Sequence, residues 1–163
     1  MWLENLSFFA GATSFLVAVG WIWRNLEPFD LPSPLPNWFK VWFRIVQIFG
    51  VFLPLVALIG GGVWRGNLNV LVIFLSYFLM LGLQILTEIV SLRKFQTVIW
   101  VMIPYLYLPY RIWQLYEGLG IVSLEADMFW VRILLISGIL LWMVNYLVNL
   151  IQLPQLLRWK SFT

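Results

Sequence analysis

Glu88 and Gln84 lie one helical turn apart in LQILTEIVSLRK, residues 83–94, a run that is almost wholly apolar up to its basic end. A carboxylate among apolar residues is costly, so it marks a functional group or a paired one. In the functional reading Glu88 holds a proton, a cation or a basic group of a partner. In the simpler reading it is neutralised within the chain, and Arg44 with Gln47 offers the matching pair.

Three other constellations could do chemistry. Arg111 and Arg132 could hold an anionic lipid or ligand, because a guanidinium grips a phosphate with two parallel hydrogen bonds. Glu117, Glu125 and Asp127 stand near them in sequence and could neutralise them instead. Pro104 and Pro109, in VMIPYLYLPYRIWQLY, each remove a backbone donor and are expected to kink their helix. Freed carbonyls at such a break can line a cavity. Asn145 and Asn149 fall on one face of the last apolar segment, as a polar packing face or, with Gln84, as part of a polar path.

Much chemistry is excluded. The chain has no cysteine and no histidine. Disulfides, thiolate and imidazole metal sites, and Ser–His or Cys–His catalysis are therefore out. Lys40, Lys94 and Lys160 flank the apolar segments, so no lysine is placed for a Schiff base or a Ser–Lys pair within them. No catalytic residue and no metal site is expected, and no cofactor is predicted, although bound lipid or pigment is compatible with the composition. No basic run suggests nucleic acid.

The elements that must position these residues follow from composition. Of 163 residues, 63% are hydrophobic and 10% are charged, against about 25% charged in a soluble domain. A globule of this size cannot hide that much apolar surface from water, so lipid is the solvent. Five segments approach the roughly 20 residues that a bilayer crossing needs: 5–23, 42–64, 68–91, 95–116 and 128–153. The fold class expected is all-α, a single polytopic membrane domain built as a bundle of five transmembrane helices. Residues 24–38 carry four prolines, Pro28, Pro32, Pro34 and Pro36, and read as a loop on the membrane surface. Turns are expected at 65–67 and 92–94, and a polar loop at 117–127.

Five crossings put the chain ends on opposite sides. The side with the proline loop, the 92–94 turn and the C-terminus collects Arg24, Lys40, Arg44, Arg93, Lys94, Arg158 and Lys160. Basic loops face the cytoplasm, so the N-terminus is expected outside and the C-terminus on the cytoplasmic or stromal side. Most of the eleven tryptophans fall near segment ends, as an interfacial aromatic belt requires; Trp100 and Trp142 lie deeper. Folding the second and third segments about Gly66 as regular helices brings Arg44 and Glu88 to equal depth, about 33 Å from the turn. The same folding of the fourth and fifth segments sets Arg111 level with Arg132 near the outer face.

Small residues stripe two segments at helical spacing: Ser7, Gly11, Ser14 and Ala18 in the first, and Gly50, Pro54, Ala57 and Gly61 in the second. Such faces let helix backbones approach in lipid. Together these features suggest a non-catalytic accessory or assembly subunit of a larger membrane complex, or a scaffold for lipid or pigment. The alternatives are a small transporter or channel built on a broken fourth helix, and a membrane small-molecule binder or sensor. Expected partners are the lipid bilayer and other membrane subunits or further copies of the chain, in a bacterial inner membrane or a thylakoid-type membrane.

Overall fold

The structure, a computed structural model, describes residues 2–22, 37–94, 99–122 and 128–157. The proline-rich stretch 24–36, residues 123–127 with Glu125 and Asp127, and the tail from 158 lie outside the described residues. All described elements are helical. Helix α1 is Trp2–Ile22, α3 is Leu68–Lys94, α4 is Ile99–Val122 and α5 is Phe129–Leu157. Between α1 and α3, residues 37–64 form one helical rod, α2, in which regular turns at Asn37–Gln47 and Leu53–Ala57 alternate with π-helical turns at Ile48–Phe52 and Leu58–Trp64.

Among the described residues, four segments are long and apolar enough to cross a bilayer: Trp2–Ile22, Lys40–Trp64, Leu68–Lys94 and Phe129–Ile151. The chain is a helical membrane protein. Helix α4 differs from the other four. Its 24 residues include two prolines, four tyrosines, Arg111, Gln114 and Glu117, which lower its apolarity. It sits against α1, α3 and α5, which bury Arg111 and Gln114 while Glu117 stays exposed. On one side of the α3–α4 pair, α2 and α5 close a core built on Ala57, Phe74, Tyr77, Leu115, Leu135 and Trp142. On the other, α1 lays Ala12 and Leu16 against Met80, Ile103 and Tyr107.

Local chemistry explains the elements. Gly66, at φ 66°, makes the left-handed turn between α2 and α3 that a side chain would resist. Asn67 then caps α3, its Oδ1 accepting the Val70 amide at 3.0 Å. Pro54 accounts for the first widening of α2. Its ring clashes with a carbonyl four residues back in a regular helix, and just before it the Leu53 amide reaches five residues back, to Ile48.

Three boundaries differ from expectation. Residues 92–94, expected as a turn, are the last turn of α3. The fourth helix continues past 116 through Glu117–Val122, whose Gly118 packs against Ile73. Helix α2 begins at Asn37, inside the stretch read as surface loop. The fourth helix runs continuously through Pro104 and Pro109, and α2 carries wide turns on both sides of its own Pro54.

Candidate functional site

The bundle interior carries polar groups in three connected sets. The first joins α1, α3 and α4. Asn5, 1% exposed, donates from Nδ2 to Ser76 Oγ at 2.5 Å and accepts from the Tyr110 hydroxyl at 2.7 Å. Gln114 Nε2 donates to Ser76 Oγ at 3.0 Å and to Asn5 Oδ1 at 3.2 Å. Phe8 stacks on Tyr110 at 3.9 Å between ring centroids and meets Tyr107 edge-on, which fixes α1 in rotation.

The second set holds Arg111, which is 2% exposed. Its Nη2 donates to Gln84 Oε1 at 2.5 Å, and Gln84 Nε2 donates onward to Glu88 Oε1 at 2.8 Å. The guanidinium carbon lies 4.4 Å from the Trp142 ring centroid and 5.6 Å from that of Tyr77. Arg111 Nε and Gln114 Oε1 are shielded from solvent without a partner. An amide thus relays between cation and carboxylate. One charged hydrogen bond is worth about 1.5–3 kcal/mol and a desolvated cation–π contact roughly 2 kcal/mol. Removing a guanidinium from water costs several kcal/mol. The two sides are of similar size, so the net contribution of Arg111 to stability is small.

The third set repairs α2. Pro54 has no N–H to offer the carbonyl of Gly50, four residues back. The Tyr77 hydroxyl of α3 supplies that donor at 2.6 Å, and Trp142 Nε1 of α5 donates to the same hydroxyl at 3.1 Å. Gly50 is needed for the approach: a Cβ there would stand 2.8 Å from Trp142 Cζ2.

The expected pairings resolve differently. Arg44 and Gln47 lie on the exposed side of α2, and among the described residues the groups facing Glu88 are Gln84 and, through it, Arg111. The reason is register. Hydrogen bonds that reach five residues back put more residues into each turn, so α2 spends sixteen residues between Gly50 and Gly66 while α3 spends eleven between Gly66 and Tyr77. Equal sequence distance from Gly66 therefore does not mean equal depth for Arg44 and Glu88. Arg111 and Arg132, expected level with one another, take different partners. Arg111 turns into the interior, whereas Arg132 Nε caps the end of α4 by donating to the Val122 carbonyl at 3.1 Å.

Asn145 and Asn149 are used between helices. Trp42 Nε1 of α2 donates to Asn145 Oδ1 at 3.0 Å, and the Tyr105 hydroxyl of α4 donates to the Asn149 carbonyl at 2.6 Å. Asn149 Nδ2 bonds back to the Asn145 carbonyl at 2.7 Å. Gln84 is engaged elsewhere, with Arg111 and Glu88. The Asn5–Ser76–Gln114–Tyr110 set is not among the expected groupings. Its signal in the sequence is Gln114 one turn from Arg111 in the least apolar helix, which must therefore be the enclosed one.

Among the described residues no group of three or more acidic residues is arranged to hold a metal ion. Comparison with known proteins places the chain in no family: no family profile matches it, and neither curated proteins nor solved structures give a match.

Proposed function

We propose that this protein is a non-catalytic membrane subunit that docks through α1 onto another membrane protein. One observation carries the reading. On α1, Ser7, Gly11, Ser14 and Ala18 are all exposed, and at 100° per residue they share the face opposite Asn5, Ala12, Leu16 and Gly20, which enter the bundle. In lipid, small faces are where helices associate. Most of the interior polar side chains described are meanwhile engaged in joining the helices of this chain to one another.

In this reading α4 crosses the bilayer together with the four more apolar helices. The N-terminus then lies outside and the C-terminus on the basic, cytoplasmic or stromal side of a bacterial inner membrane or thylakoid-type membrane. The test is affinity purification in mild detergent followed by mass spectrometry. The expected result is stoichiometric recovery of a second membrane protein. Recovery of the lone chain from native membranes, at every detergent tried, overturns the proposal.

A second reading, a small transporter, draws support from the unpartnered Arg111 Nε and Gln114 Oε1 atoms in the interior. It predicts a homo-oligomer that conducts a solute when reconstituted into liposomes, and loss of that flux in Arg111→Gln.

A further inference from the structure

Helices α1 and α3 run parallel. Asn5 meets Ser76 toward one end, and toward the other a cleft of about 140 Å³ opens between them, lined by Phe9, Leu16, Val17, Leu86, Val90 and Ser91 among others. Most of its exposed wall is apolar, and Thr13, Thr87 and Ser91 contribute hydroxyls to the lining. Leu86 and Val90 are exposed along its edge, so it opens sideways to lipid. The last turn of α3 continues from Ser91 into Arg93 and Lys94, both exposed. A helix of 27 residues is about 40 Å long, against a hydrocarbon core of about 30 Å. Its basic end therefore reaches headgroup level while the cleft stays in the acyl region just below.

We propose that this cleft is a binding site for one anionic phospholipid. An acyl chain lies between α1 and α3, and Arg93 and Lys94 hold the phosphate. Charge complementarity selects this occupant: an apolar slot for a chain ends at two cations, at the depth where a phospholipid carries its negative charge. A second copy of the chain would bring the same two cations against their equivalents. The site lies on the side of α1 away from the small-residue face, so it is independent of the docking reading.

The test uses native mass spectrometry of the full chain released from nanodiscs of equal phosphatidylglycerol and phosphatidylcholine. The parent protein is expected to retain one phosphatidylglycerol in preference to phosphatidylcholine. Each basic residue near an anionic surface is worth about a fivefold change in affinity, so Arg93→Ala/Lys94→Ala should lower that retention by roughly twentyfold and erase the headgroup preference. Leu86→Trp and Val90→Trp, at exposed positions that the fold tolerates, should also lower retention with both cations intact. Retention unchanged by the charge variant overturns the proposal. So does a loss in the charge variant without loss in the tryptophan variants, which would mark general attraction of the headgroup layer. A cysteine crosslink between copies at Val90 that excludes lipid would assign the cleft to self-association and overturn it as well.

Discussion

Two helices carry the same pattern of small residues and put it to opposite use. On α2, Gly50, Pro54, Ala57 and Gly61 are all buried; on α1, Ser7, Gly11, Ser14 and Ala18 are all exposed. Spacing does not separate them. What separates them is what the neighbouring helices offer. The α2 stripe meets large rings: a Cβ on Gly50 would collide with Trp142, and one on Gly61 would stand 3.0 Å from Trp130. Gly62 beside it sets the α2 backbone against that of Leu71. On α1 the inward face is chosen by Asn5, which finds Ser76, Tyr110 and Gln114. Burying an apolar side chain between helices gains little over leaving it in lipid, so close contact and hydrogen bonds decide which face turns in. Small residues permit approach; the polar side chain selects the neighbour.

The sharpest way to break the comparison is to empty the ring that fills the α2 stripe. Trp142→Ala removes the packing partner of Gly50, the donor to Tyr77 and the plane beneath Arg111 together. A buried Trp→Ala change costs about 3–5 kcal/mol, and losses of this size should appear as a large drop in thermal stability in detergent. A change of less than 1 kcal/mol would mean that α5 does not hold α2. Next comes Gly50→Ala. The added methyl would stand 2.8 Å from Trp142 Cζ2, and overpacking of this kind costs about 1–3 kcal/mol.

Tyr77→Phe tests the repair of α2 at the level of one hydrogen bond. It leaves the Gly50 carbonyl without the donor that Pro54 cannot supply, a loss of about 1–3 kcal/mol for a buried acceptor. Pro54→Ala returns a backbone N–H to α2. If the proline is the reason for the Tyr77 contact, Tyr77→Phe should cost clearly less in a Pro54→Ala background than alone. Additive costs in the double-mutant cycle would show that the hydroxyl answers to something other than the proline.

Much of the architecture is legible in the residues. The turn at Gly66 follows from Arg65–Gly66–Asn67 between two long apolar runs, and the Gly50–Gly61 face follows from its spacing. The pairings are not legible, for a specific reason. Matching depths across a hairpin assumes equal rise on both helices, and Pro54 with its wide turns removes that equality. Equal counts from Gly66 therefore do not align Arg44 with Glu88, and Arg44 lies on the exposed side of α2. Arg111 is misplaced for a different reason: read as near a helix end, it lies instead on a helix that runs on to Val122, and this extension carries it into the interior beside Gln84. The small stripe of α1 shows the remaining ambiguity, since only Asn5, on the opposite face, tells which side turns inward.

That ambiguity leads to the smallest expected effect on stability and the most informative one for function. Gly11 stands at the centre of the exposed stripe, and a Cβ built there meets nothing within 4 Å. Gly11→Leu should therefore not destabilise the fold, its better helix propensity adding at most about 0.5–1 kcal/mol. Its branched side chain nevertheless ends the flat face that lets another helix come close. If α1 docks a partner, Gly11→Leu should fold, reach the membrane at parental abundance and lose the co-purifying protein. Ala12→Leu, one residue along and on the buried face, should instead lower abundance before docking is at issue. A Gly11→Leu chain that keeps its partner in full would show that the exposed stripe faces lipid alone, and the contrast between the two stripes would then concern packing and not recognition.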